Sequence, residues 1–158
     1  MNKNIIFLLC YVLLGSQNSV MEKTYAEVGI AAITESNNNN VVIDIFSINE
    51  IPIAGFQFEI IPNDLFLIDS ISGGICDKLG FELHSNNKGL LLAFSMQGKE
   101  VPKSKNNNPK ENILFSVYGK KNKDFYSKDI TLSTTLASKM GKKVNAKIVA
   151  YKHVKARD

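Results

Sequence analysis

From residue 26 onward the chain breaks into short apolar or alternating runs, separated by clusters of Asn, Gly, Pro, Ser and Lys. Runs of strand length bounded by turn residues at this spacing predict an all-β sandwich. The runs give nine strands, at residues 26 to 33, 41 to 48, 53 to 61, 65 to 72, 80 to 84, 89 to 97, 112 to 119, 129 to 134 and 143 to 151. Successive side chains of a strand face opposite ways, so Phe56, Phe58 and Ile60 share one face while Gln57 and Glu59 share the other. Leu90, Leu92, Phe94 and Met96 repeat the alternation, which turns Ala93, Ser95 and Gln97 outward. It recurs in Ile113, Phe115 and Val117, in Ile130 and Leu132, and in Val144, Ala146, Ile148 and Ala150. No stretch carries apolar residues at helical spacing over a helix length, so any helix is a turn or two. The connectors Asn37 to Asn40, Pro62 to Asp64, Gly73-Gly74, Ser85 to Gly89 and Lys103 to Pro109 end strands. Asn and Gly accept positive φ, and Pro cannot donate to a ladder.

The first residues read differently. Lys3 precedes an unbroken apolar run from Ile5 to Leu14, closed by Gly15 and a polar Ser16 to Ser19. This is the layout of a secretory signal peptide, residues 1 to 19, with cleavage expected after Ser16 or Ser19. The alternatives are an uncleaved anchor or a buried strand, although a bilayer span needs roughly 20 apolar residues. Export leaves a sandwich domain at residues 20 to 152 and a short basic tail at 153 to 158, with no membrane span in the mature chain. Cys10 departs with the leader, so the secreted chain keeps one free thiol, Cys76. Leu9 stands where lipoprotein attachment at Cys10 would want a small residue. No Asn-x-Ser/Thr acceptor for glycosylation is present.

Composition narrows the chemistry. With 44% hydrophobic and 22% charged residues and a mean hydropathy of -0.06, the 158 residues suit one soluble domain. The net charge of +4 comes from scattered lysines, which argues against a nucleic-acid partner. Two His and two Cys are too few for a zinc site of the usual spacing, and no cofactor motif occurs. Asp64, Asp69 and Asp77 lack the alternate spacing of a calcium loop. His84 and His153 stand in no nucleophile motif and read as surface histidines. Tyr118, Phe125, Tyr126 and Tyr151 read as packing at strand edges or as a platform for sugar rings. Lys120, Lys121, Lys123 and Lys128 form a loose basic loop. No catalytic constellation emerges, and the chain is not expected to be an enzyme.

One segment is more specific. Ile51-Pro52-Ile53-Ala54-Gly55-Phe56-Gln57-Phe58-Glu59-Ile60 resembles the "p-V-A-G-F-Q-F-d" strand of cohesin-like domains. Val42 to Ile48 stands where those domains carry the preceding strand, and Leu65 to Gly74 resembles the following strand and glycine turn. Gly89 to Gly98 is similar to their "vLgFSftG" strand, and Ile113 to Val117 to the next. The resemblance spans about residues 26 to 150. It implies a nine-stranded jelly-roll sandwich that binds rather than catalyses, with a dockerin-like protein module or a polysaccharide as partner. An exposed sheet face of the kind cohesins use would here offer Gln57, Glu59, Ser95 and Gln97. The two phenylalanines read as core, and Gly55 as a bulge or a close approach of a neighbouring strand. The rival reading is a structural surface or particle protein that self-associates through its sandwich.

Overall fold

Period-two alternation makes each strand two-faced, and two five-stranded sheets press their apolar faces together. The computed structural model describes residues 23–36, 38–122 and 124–151, so the leader at 1 to 19 and the tail at 153 to 158 lie outside the described residues. In the first sheet the order is β10 (Ala146–Val149), β1 (Ala26–Glu35), β2 (Asn40–Asn49), β7 (Ile113–Lys121) and β4 (Phe66–Ser72). In the second it is β5 (Glu82–Ser85), β6 (Leu90–Phe94), β3 (Gly55–Ile61), β8 (Thr131–Ala137) and β9 (Lys143–Val144). Neighbours run antiparallel except β1 and β10, which are parallel. One short helix, α1 (Gly74–Lys78), precedes β5. Among the described residues no helix is long and apolar enough to cross a membrane.

The core lies between the sheets. Val28, Ile43, Ile45, Phe115 and Val117 from the first meet Phe56, Phe58, Ile60, Leu91 and Leu136 from the second, all buried. Phe58 packs edge-on against Phe115 with ring centroids 5.9 Å apart, and Phe56 lies 6.2 Å from Phe58. Ring pairs of this kind add about 0.5 to 1.5 kcal/mol beyond the area they bury. Gly119 lets β4 and β7 close: a Cβ there would stand against the Leu67 carbonyl oxygen and within 2.7 Å of the Phe66 ring. Asn49, buried at the end of β2, donates through Nδ2 to the carbonyls of Ile51 at 2.8 Å and Pro102 at 2.9 Å. It thereby ties the 101–104 segment to the β2–β3 connection.

Among the described residues ten strands stand where nine were expected, because the run at 143 to 151 is divided. Val144 pairs with Leu136 in the second sheet, whereas Ala146 pairs with Ala26 in the first. The change of sheet falls at Asn145, whose carbonyl accepts the amide protons of Tyr25 and Ala26. An unbroken alternation carries no sign of such a crossing. It also misplaces Ile148, which is 40% exposed.

A second correction concerns β6. The alternation that put Leu90, Leu92, Phe94 and Met96 inside is off by one: Leu91 and Ala93 are buried, Phe94 is 36% exposed and Met96 is 79% exposed. Ala93 lies opposite Phe56 and Leu91 opposite Phe58. Phe81 also packs on Phe56, at 6.4 Å. With those rings in place, the interior position of β6 accepts a methyl group and would be overfilled by a further phenylalanine.

Candidate functional site

Directly opposed residues of neighbouring strands point to the same side of a sheet, so the pairing register maps the outer face of the second sheet. One row across it runs Glu82, Phe94, Gly55, Ala137, Lys143. The next runs His84, Leu92, Gln57, Thr135, and a third Leu90, Glu59, Ser133. Gln57 and Glu59 are exposed on this face, as their strand's alternation requires. Ser95 and Gln97 are not part of it. β6 ends at Phe94, and Ser95 begins a turn in which its Oγ accepts the amide protons of Gln97 and Lys99 at 3.2 and 3.1 Å.

What sequence reasoning missed is the row of side chains that β6 itself contributes. Leu90 and Leu92 are half-buried and Phe94 is exposed, all on the side that carries Gln57 and Glu59. The imidazole of His84 stacks on the Phe94 ring with centroids 5.7 Å apart and planes 16° from parallel. Three leucines in succession conceal this, because Leu90-Leu91-Leu92 reads equally well in either parity. The face thus has an apolar centre along β6 bordered by hydrogen-bonding side chains on β3 and β8. Such a surface can exclude water from a protein contact and fix its orientation.

The other candidates do not assemble into chemistry. Among the described residues no three His, Cys, Asp or Glu side chains gather around a metal-sized space, and Asp64, Asp69 and Asp77 stay apart on separate segments. An open cleft of about 350 Å³ at the start of β1 includes Glu27 and Glu50, but Lys147 pairs with the first at 3.5 Å and Lys23 with the second at 3.1 Å. The hydrogen bond and charge of Glu50 hold the Lys23 ammonium above its usual value. Of the four aromatic candidates, Phe125 is in the core against Phe66, Tyr118 stands on the outer face of β7, Tyr126 is in a loop, and the Tyr151 hydroxyl accepts the Ile33 amide proton at 3.3 Å. They are dispersed rather than aligned. Lys121 pairs with Glu35, Lys120 is exposed, and Lys123 and His153 lie outside the described residues. Cys76 is buried in α1, and desolvation pushes its thiol up to about 12, which keeps it protonated and unreactive.

No protein-family profile and no curated protein matches the chain. Its fold is similar to that of a cohesin, CaCohA2, solved in complex with a singly substituted variant of the dockerin CaDoc0917 at pH 5.5. The similarity has a TM-score of 0.55 at 12% identity and covers 78% of this chain and 94% of that one. The chain is therefore a cohesin-like β-sandwich in fold.

Proposed function

We propose that this cohesin-like sandwich is an exported, non-catalytic module that binds a dockerin-like protein on the outer face of its second sheet. The observation that carries the reading is the fold shared with a cohesin solved in a dockerin complex. Supporting it, the outer face of the second sheet presents Leu92, Phe94, Gln57 and Glu59 side by side, and function has to be argued from such a site rather than from fold alone. Export rests on the leader pattern at residues 1 to 19.

The test is a pull-down against a panel of recombinant dockerin modules, run beside a glycan array. Retention of a dockerin that is weakened by Phe94→Ala and Gln57→Ala together is the expected result. Binding to polysaccharide alone would move the module to a carbohydrate role. Size-exclusion chromatography with light scattering on residues 20 to 158 separates this reading from a structural protein that packs against copies of itself: a stable oligomer favours the latter.

A further inference from the structure

Gly55 stands where the fold does not need a glycine. Among the described residues, Gly29, Gly55 and Gly119 have backbones that any residue can adopt, whereas the other glycines have positive φ. At Gly29 an added Cβ would come within 2.6 Å of the Val149 carbonyl oxygen, and at Gly119 it would overlap the Leu67 carbonyl oxygen. At Gly55 the nearest atoms are the Ala93 carbonyl oxygen at 3.8 Å and the Ala137 Cβ at 4.0 Å, which is ordinary contact. The close approach expected there from the sequence is absent. Gly55 opens β3 with a strand paired on either side, and a glycine there forgoes a side chain that the space would accept, so its presence needs another reason.

The register supplies one. Gly55 lies between Phe94 on β6 and Ala137 on β8, so between the Phe94 ring and Lys143 on β9 the row carries nothing larger than a methyl group. This leaves a hollow two strands wide, about 10 Å. Its floor is the Gly55 backbone and the Ala137 methyl, and its wall is the Phe94 ring, which His84 backs by stacking. Gln57 and Thr135 border it in the next row. We propose that this hollow is the specificity pocket of the docking face, and that it takes one aliphatic side chain, of valine to leucine size, projecting from the dockerin-like partner. The floor and aromatic wall carry no charge and the row ends at Lys143, so a basic side chain placed there would lose water and meet a like charge. Phe94 is the anchor and His84 its positioning residue. The inference rests on the proposed dockerin-like function and adds which part of the face selects the partner.

The experiment uses the mature chain and, as probe, whichever module of the dockerin panel it retains. Gly55→Val is expected to weaken that binding at least about tenfold, since a filled pocket excludes its occupant. The same substitution should leave the denaturation midpoint unchanged or raise it, because valine suits a strand. His84→Ala should weaken binding about threefold or more and His84→Phe should restore it, with the Phe94 ring resonances shifting in the first variant and returning in the second. Tyr118→Ala, on the outer face of the other sheet, should change nothing. Should Gly55→Val not fold, Ala137→Leu fills the hollow from the opposite strand and serves in its place. A folded hollow-filling variant that binds like the wild type overturns the pocket and leaves the dockerin reading standing. Failure of every dockerin to bind overturns that reading, and this inference with it.

Discussion

Phe58 is fully buried against Phe56 and Phe115, and Phe94, three residues beyond Leu91, the cross-strand partner of Phe58 on β6, is exposed and stacked on His84. Phe58→Ala should therefore cost about 3 to 5 kcal/mol, as large-to-small core changes do. Phe94→Ala should cost about 1 kcal/mol, and Gln57→Ala about 0.5 kcal/mol or less, as exposed changes do. Denaturant melts rank the three, and a Phe94 as costly as Phe58 would mean that β6 is turned the other way. Cys76 gives a second residue-scale test. Burial lifts its thiol from 9.0 to about 12. Below the ordinary thiol value the native and unfolded chains both hold the proton, so this group adds no pH dependence. Above it the unfolded chain releases the proton while the native one keeps it until about pH 12. Stability should accordingly fall with rising pH across that window, by at most about 1.4 kcal/mol per unit from this group. Cys76→Ala should remove that part of the slope, and a thiol reagent should modify Cys76 only once the chain is unfolded.

At the scale of elements, β4 and β7 depend on one absent side chain. Gly119→Ala should destabilise by about 1 to 3 kcal/mol, because the new methyl must push Leu67 and Phe66 aside to keep the ladder. Amide exchange should quicken first along β4, an edge strand held on one side only. How well each element was legible follows from its pattern. Gly55 to Ile61 has a single solution, since Phe-Gln-Phe-Glu-Ile buries its apolar residues in one parity only, and that parity leaves Gln57 and Glu59 exposed. Leu90 to Phe94 has two, and the choice was made by the rings of Phe56 and Phe81 across the core rather than by anything within the strand. Ser95 and Gln97 were misplaced through that parity and through an overlong strand. Their turn is marked by Gly98, whose φ is 67°, and by the Ser95 hydroxyl that caps it.

For the whole molecule, the leader reading predicts a mature chain beginning after Ser16 or Ser19, and intact-mass analysis of secreted material checks it: a mass that still includes Met1 to Leu14 would indicate tethered display instead. The alternating runs and their turn residues were enough by themselves to determine an all-β sandwich, most of its strands and the burial of Phe56 and Phe58. Those properties are set by neighbours in the chain, because strand period and turn chemistry are local. The crossing of the chain between sheets at Asn145, the facing of β6 and the spare room above Gly55 were decided only in three dimensions. Each depends on which strand lies alongside and how much volume its side chains already occupy, and residues distant in sequence set that volume.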